Sequence, residues 1–226
     1  MEILRDPAPV RLSIGKGALG PVVLLGGLFA AVSARAGLPI ASAAAFGAVG
    51  GTASLVIHEL GHVRAARKRV GVRPVGISLS WLGAATRLEG RYMSGGEQTR
   101  VAIAGPTASF AVAAVLLLSL YLLPISLGLR ALVVMLALFN VAVGAMNLIP
   151  ASPLDGYKLA VGLLWSGLGS EAAARRLLRR VAVAGTALEL AGAAVLTVEK
   201  PALGTTALAL AAGLVVQQLL AARSRR

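Results

Sequence analysis

Long apolar stretches, separated by short basic clusters, form the main pattern along the chain. A helix that crosses a bilayer needs about 20 predominantly apolar residues. Six stretches reach or approach that length, at residues 18–34, 39–63, 101–123, 131–149, 181–198 and 202–221. The pattern therefore predicts an all-α integral membrane protein with six transmembrane helices, in which residues 1–226 form a single polytopic domain.

The longest segment between predicted spans, residues 64–100, is itself partly apolar. Its middle part, PVGISLSWLGAATRLEG, contains β-prone residues and is interrupted by Gly76 and Gly83. This composition favours a small hairpin or short strands at the membrane surface, near residues 75–90. An ordinary interfacial loop anchored by Trp81 agrees with the composition equally well.

Composition agrees with a membrane protein, and the distribution of charge predicts its orientation. Hydrophobic residues make up 57% of the chain and charged residues 14%, whereas a soluble domain has about 45–50% and about 25%. Of the 22 Lys and Arg residues, 19 lie in four segments that share one side of a six-span membrane protein, at 1–17, 64–100, 150–180 and 222–226. Because cytoplasmic loops carry the excess of Lys and Arg, both termini are predicted to be cytoplasmic.

The formal charge of +13 raises the question of a nucleic-acid partner. No basic stripe in the sequence is interleaved with the aromatic residues on which bases stack. The basic clusters lie instead at the ends of apolar segments, so the predicted surroundings are a lipid bilayer and not a nucleic acid. The frequent Ala, Gly, Leu and Arg residues are typical of a bacterium with a GC-rich genome, so the expected location is a bacterial cell membrane.

The only two histidines of the chain lie in the second predicted span. His58 and His62 are four residues apart, and Glu59 follows the first of them. Side chains at i and i+4 share one face of a helix, with Cβ atoms about 5–6 Å apart, so both imidazoles can bind one Zn²⁺. Glu59 flanks such a site and can act as general base and acid, which takes a proton from the attacking water and passes it to the leaving amine. Two purely structural histidines are the alternative, but ionisable residues inside a span favour a function.

A catalytic zinc usually has three protein ligands, and the chain contains no cysteine and no third histidine. The third ligand must therefore be a carboxylate. The two candidates are Asp155, which follows a predicted span, and Glu189, which lies within one. Asp155 follows the fourth span, which ends on the same cytoplasmic side as the histidine-bearing span, whereas Glu189 lies about 10 Å deeper in the fifth. Asp155 is thus the predicted third ligand of one zinc per chain.

The sequence around Asp155 reads NLIPASPLDG, from residue 147 to residue 156. Pro150 and Pro153 end the preceding helix and let the chain turn back. Irregular backbone at membrane depth is tolerated only where protein buries it or water reaches it. A proline-rich turn that carries an acidic residue therefore agrees with a metal site at this depth.

HELGH at residues 58–62, combined with the segment around Asp155, resembles the site-2 protease family of intramembrane zinc metalloproteases. The family pattern of Asn, then Pro three residues later, then Leu-Asp-Gly is met by Asn147, Pro150 and residues 154–156. The resemblance covers residues 40–160, which would form a three-helix catalytic core.

A third element of the resemblance is partial. AGPTASF in the third span is similar to the family's Gly-Pro-x-x-Asn element, with Gly105 and Pro106 present and Ser109 in place of Asn. We interpret this element as one that serves helix packing. The resemblance further implies membrane-associated strands in the segment near residues 75–90, and no PDZ or CBS accessory domain is expected.

The resemblance implies that His58, His62 and Asp155 bind zinc and that Glu59 is the general base and acid. Asn147 would orient the substrate or stabilise the oxyanion. Asn140, one heptad earlier, is expected to form a hydrogen bond between helices.

The implied activity is that of a zinc metalloendopeptidase that cleaves the transmembrane segment of a single-pass membrane protein by means of a zinc-activated water, as in regulated intramembrane proteolysis. An anti-sigma factor, a membrane-tethered transcription regulator and a signal-peptide remnant all fit the family as substrates. Two alternatives remain open: a different class of membrane protease with an HExxH motif, and a non-proteolytic membrane zinc-binding protein.

Overall fold

The computed structural model describes residues 10–14, 17, 19–80 and 83–184. The elements, in chain order, are β1 (Arg11–Ile14), α1 (Leu19–Arg35), α2 (Ile40–Phe46), a π-helical turn (Gly47–Gly51), α3 (Thr52–Ala66), β2 (Val72–Ser80), β3 (Gly83–Gly90), α4 (Gly95–Leu122), α5 (Leu127–Asn147) and α6 (Asp155–Leu168). Residues 171–184 are also helical. The described part of the chain is therefore mainly helical, as its hydropathy pattern predicts.

Three helical segments in the described ranges are long and apolar enough to cross a membrane: Ile40–Ala66, Gly95–Leu122 and Leu127–Asn147. They correspond to the second, third and fourth predicted spans. The first predicted span corresponds to α1, whose 17 residues extend about 26 Å at about 1.5 Å per residue, less than a hydrocarbon core of about 30 Å. The last two predicted spans, 181–198 and 202–221, lie outside the described residues except for 181–184, so the count of six stays a prediction.

Serine side chains define where α4 and α5 begin. The Ser94 Oγ accepts a hydrogen bond from the backbone N–H of Glu97, and the Ser126 Oγ accepts one from Leu129. The Glu97 carboxylate reaches back and accepts from the N–H of Met93 at 3.0 Å. These contacts satisfy backbone donors that have no partner within the first turn of a helix, so both helices start at residues that can cap them.

The strands form one sheet in the order β1-β2-β3, in which β2 pairs parallel with β1 and antiparallel with β3. The β2–β3 pair confirms the strands predicted near residues 75–90. The structure adds a third strand, β1, which the sequence analysis did not predict. A segment of only four residues is too short to show a periodic pattern, and its pairing with β2 depends on Gly76, where a Cβ would lie 2.8 Å from the Arg11 carbonyl oxygen.

Glycines bring α4 close to its neighbours. This helix packs against α3, α5 and α6. A Cβ on Gly61 of α3 would lie 2.5 Å from the Ala104 carbonyl oxygen, and a Cβ on Gly95 would lie 2.2 Å from the carbonyl oxygen of Gly162 in α6. Larger residues cannot be accommodated at these positions without moving backbone. The close packing brings α3 and the start of α6 to the same part of α4, where the candidate site lies.

Candidate metal centre

Helix α3 carries both histidines on a face that is turned into the protein. His58 is 3% exposed and His62 is 5% exposed, and their ring centroids lie 5.1 Å apart. This is the separation expected for side chains one helical turn apart. Within a membrane span, such burial requires that polar partners are supplied by the neighbouring elements.

Asp155 approaches the histidines from the turn between α5 and α6. The turn includes a cis peptide bond between Ser152 and Pro153, and Asp155 is the first residue of α6. At Gly156, a Cβ would lie 2.3 Å from the carbonyl oxygens of both Leu148 and Ile149. Only glycine therefore allows the start of α6 to pack against the end of α5, and this packing positions the carboxylate of Asp155.

The three predicted ligands lie together. The Asp155 Oδ2 is 3.1 Å from the His58 Nε2 and 2.9 Å from the His62 Nε2. The ligand atoms of the three side chains all lie within 4.8 Å of one another, and all three residues are buried. Donor atoms bound tetrahedrally to one zinc at about 2.0–2.1 Å would lie about 3.3 Å apart. The two separations from the Asp155 Oδ2 are close to that value.

The hydrogen-bond chemistry of the group fits a metal ion. The His62 Nδ1 lies 2.7 Å from the Val101 carbonyl oxygen, which can only accept, so this nitrogen carries the proton. The Nε2 of a neutral His62 is then an acceptor, and it faces the Asp155 carboxylate, which is also an acceptor. A proton or a metal ion shared between these groups holds them this close, and two imidazoles with a carboxylate are a ligand set that zinc uses.

His58, like His62, has a polar partner at its Nδ1 atom. Its Nδ1 lies 2.9 Å from the Ser109 hydroxyl, which is fully buried in α4. A polar partner on the second ring nitrogen fixes the tautomer and the ring orientation of a metal-binding histidine. Ser109 is the residue that replaces Asn in the partial Gly-Pro-x-x-Asn element.

Gly105 belongs to the same element and lies directly against both histidines. A Cβ at this position would lie 2.2 Å from the His62 Nε2 and 2.5 Å from the His58 Nε2. The interpretation of AGPTASF as an element of helix packing was therefore incomplete. Gly105 leaves space for the two nitrogens that face Asp155, and Ser109 holds one of the rings.

Charge around Asp155 favours its ionised form. The Lys158 Nζ donates to the Asp155 Oδ1 at 2.9 Å from one turn later in α6. Burial alone would raise the pKa of Asp155, but the hydrogen bonds from His58 and His62 and the charge of Lys158 hold that pKa well below its usual range. A carboxylate that stays ionised is the form that binds a metal ion.

Glu59 lies beside the group and is held by the sheet. It is 8% exposed, and the Thr86 hydroxyl of β3 lies 2.6 Å from its Oε2 and 3.1 Å from its backbone oxygen. Glu59 is adjacent in sequence to His58 but takes no part in the three-residue group. This placement agrees with a proton-transfer role and not with a fourth ligand.

Other residues considered from the sequence lie elsewhere. The amide nitrogen of Asn147 donates to the Val143 carbonyl oxygen, one turn back in α5, at 3.0 Å. Its predicted contact with substrate stays a prediction. Asn140 is fully buried and donates to the Ser54 hydroxyl at 2.9 Å, which confirms the expected hydrogen bond between α5 and α3. Glu189 lies outside the described residues.

The sequence analysis did not assign Thr86, Lys158 or the Val101 carbonyl to the site. Lys158 carries a local signal, because a basic residue three positions after Asp155 in a helix lies on the same face. Thr86 and Val101 approach from β3 and α4, far away in the sequence, and no local pattern indicates such contacts.

Comparisons with known proteins agree with the motifs. Residues 124–191, which include Asn147 and Asp155, match the family model described as Peptidase family M50. A zinc metalloprotease of Methanocaldococcus jannaschii is 36% identical over 111 residues, which are 49% of this chain and 32% of that protein. Rip3 of Mycobacterium tuberculosis, also named as a zinc metalloprotease, is 37% identical over 144 residues, which are 57% of this chain and 35% of that protein. The matched regions thus span about a third of the length of these curated relatives.

A solved structure shares the fold. The site-2 protease from Methanocaldococcus jannaschii superposes with a TM-score of 0.54 and covers 92% of this chain and 89% of its own, at 22% sequence identity. At this identity the similarity concerns the fold. Together, the family model, the curated relatives and the shared fold confirm the resemblance to the site-2 proteases.

Proposed function

We propose that this protein is a zinc metalloendopeptidase that cleaves peptide bonds in or near the transmembrane segments of membrane-anchored proteins. The observation that carries this proposal is the convergence of His58, His62 and Asp155 in a buried group, with Glu59 beside it. Curated relatives named as zinc metalloproteases support it further.

In this proposal His58, His62 and Asp155 hold one zinc ion. Zinc at such a site supplies Lewis-acid chemistry, in which it lowers the pKa of water and polarises the scissile carbonyl. Ser109 and the Val101 carbonyl orient the imidazoles. Glu59 takes the proton of the attacking water and delivers it to the leaving amine, so that one carboxylate serves as base and then as acid.

Asn147 completes the proposal as a donor to the substrate or to the oxyanion. In the structure its amide nitrogen donates to the Val143 carbonyl oxygen of its own helix. A substrate role therefore requires that this internal hydrogen bond is exchanged for one to the substrate. The Val143 carbonyl oxygen would then lose this hydrogen bond. Its loss costs little free energy near the end of a helix, where carbonyl groups commonly bind other partners.

Hydrolysis within a membrane protein needs a supply of water. His62 lies one turn before the end of α3 at Ala66, and Arg64, Arg67, Lys68 and Arg69 surround that end. By the positive-inside rule this end faces the cytoplasm. We infer that the site takes its water from that side, in a chain of six spans with cytoplasmic termini and a single protease domain whose core is residues 40–160.

A substrate helix must unwind before hydrolysis, because its backbone is already hydrogen-bonded internally. Within the described residues, β3 pairs on one side only, with β2. We infer that an unwound segment adds to the other edge of β3 as a further strand. Anti-sigma factors, membrane-tethered transcription regulators and signal-peptide remnants are the substrate classes that such a site would serve.

The proposal is tested by comparing the wild-type protein with Glu59→Gln on a single-pass substrate in proteoliposomes. The variant should keep its zinc and lose cleavage, because the amide cannot accept the proton. Glu171→Gln is the matched control, since the partly exposed Glu171 pairs with Arg175 of its own helix, and it should cleave normally. Equal cleavage by Glu59→Gln and the wild type would contradict the proposal and leave a zinc-binding protein without protease activity as the better account.

The strand-addition step has its own test. Proline at residues 83, 84, 85, 87 and 88 in turn, with Thr86 left unchanged, removes backbone donors one at a time. At least one of these variants should cleave more slowly while its zinc content stays the same. Normal cleavage by every variant would rule out strand addition but would leave the zinc chemistry intact.

A further inference from the structure

Thr86 connects the sheet to the proposed general base. It lies on β3, opposite Ile77 of β2, and Ile77 is only 3% exposed. Because side chains at paired positions point to the same face of a sheet, this pairing turns Thr86 into the protein, towards α3. The Thr86 Oγ1 lies 2.6 Å from the Glu59 Oε2.

The chemistry of this contact sets its direction. A hydroxyl group has one proton to donate, whereas a carboxylate and a backbone carbonyl only accept. The Thr86 Oγ1 is 3.1 Å from the Glu59 backbone oxygen but 2.6 Å from its carboxylate. The shorter distance is within the usual range of a hydrogen bond between a hydroxyl group and a carboxylate oxygen, so the Thr86 hydroxyl donates to Oε2.

Thr86 is well suited to hold Glu59 in one orientation. Its hydroxyl forms a short hydrogen bond with the Glu59 Oε2, at 2.6 Å. Threonine is β-branched and has restricted χ1 freedom, and its backbone is fixed by the β2–β3 ladder. The carboxylate is thus held from a rigid strand and not from a mobile loop.

Resting on the function proposed above, we propose that Thr86 is a positioning residue for the general base. With Oε2 engaged by Thr86, Glu59 presents its other oxygen, Oε1, to the attacking water.

The test uses Thr86→Val, which keeps the β-branched shape and removes the hydroxyl. Loss of an orienting hydrogen bond of this kind costs about 10- to 100-fold in activity, so kcat should fall by that factor while KM and zinc content stay at wild-type values. Thr86→Ser retains the hydroxyl and should recover most of the activity. Thr107→Val is the matched control, because Thr107 is exposed and its hydroxyl donates to the Ile103 carbonyl oxygen of its own helix.

A double variant separates positioning from a general structural effect. If Thr86 acts through Glu59, then adding Thr86→Val to Glu59→Gln should produce no further loss, because the orientation of an absent base has no effect. A purely structural effect would lower the melting temperature and the zinc content of the double variant below those of Glu59→Gln.

Three results would overturn the inference. They are wild-type kcat in Thr86→Val, a raised KM with unchanged kcat, and an equal loss in the Ser and Val variants together with a lower melting temperature. If the wild-type protein retains zinc but does not cleave, the proposed function fails as well. Active wild type together with a fully active Thr86→Val variant removes only the role of Thr86.

Discussion

Replacing Gly105 by Ala should disrupt the metal centre while changing a single methyl group. Gly105 lies in α4 where the two histidine rings of α3 meet it. A Cβ built there lies 2.2 Å from the His62 Nε2 and 2.5 Å from the His58 Nε2. The atoms in conflict are the two nitrogens proposed to bind zinc, so the substitution acts on the ligands themselves.

These distances give the displacement of the histidine rings that an added methyl group would require. Ordinary contacts of a Cβ begin at about 3.4 Å, so the rings must move by about 1 Å or α4 must shift away from α3. Zinc–nitrogen distances in protein sites vary by only about 0.2 Å. Displacement of both imidazoles by several times that tolerance should weaken zinc binding at least about 100-fold.

Competition between the purified protein and a chromophoric chelator measures the zinc affinity directly. Gly96→Ala is the matched control, because it adds the same methyl group to the same helix and the nearest atom, the Ser94 Oγ, is 3.9 Å away. The metal-free forms should be compared by thermal unfolding, which reports any loss of packing between α3 and α4. A zinc affinity of Gly105→Ala within about threefold of the wild-type value would refute the placement of Gly105 against the metal-binding nitrogens.

Two further predictions follow from the surroundings of the site. Ser109→Ala removes the partner of the His58 Nδ1 and should lower zinc affinity about 10-fold, measured by the same competition, whereas an unchanged affinity would contradict the orienting role of Ser109. Burial and the negative charges of Asp155 and Glu97 raise the pKa of Tyr92 to about 12, so its stabilising contribution is present below about pH 10 and is lost as the pH rises towards 12. The free energy of unfolding of the wild-type protein should fall with pH across that range, and Tyr92→Phe should remove this dependence. The same pH dependence in both proteins would contradict the raised pKa of Tyr92.

The sequence predicted much of this arrangement because the relevant signals are local. The i, i+4 spacing of His58 and His62 needs only a helix, and the apolar stretch around them predicts that helix. Asp155 was predicted as the third ligand because the order of the spans places it on the same side of the membrane as the histidines. The structure places Asp155 beside them. Its role as a ligand stays a prediction, and so does the substrate role of Asn147.

The remaining features depend on contacts between distant segments. Whether Thr86 faces Glu59 depends on the register of β3 against β2 and on how the sheet packs against α3. The Ser109 hydroxyl can form a hydrogen bond with an imidazole nitrogen, but the surrounding sequence does not show which histidine it contacts. The strand at Arg11–Ile14 forms only because β2 offers an edge. None of these contacts leaves a periodic pattern in the sequence.

X-ray absorption at the zinc edge tests the central claim most directly, with the wild-type protein and Asp155→Ala compared after purification and zinc loading. The account predicts about one zinc per wild-type chain, bound by two imidazole nitrogens and a carboxylate oxygen at about 2.0–2.2 Å. Asp155→Ala should lose most of its zinc and the carboxylate contribution to the spectrum. Full zinc content and an unchanged spectrum in Asp155→Ala would contradict the assignment of His58, His62 and Asp155 as the metal centre.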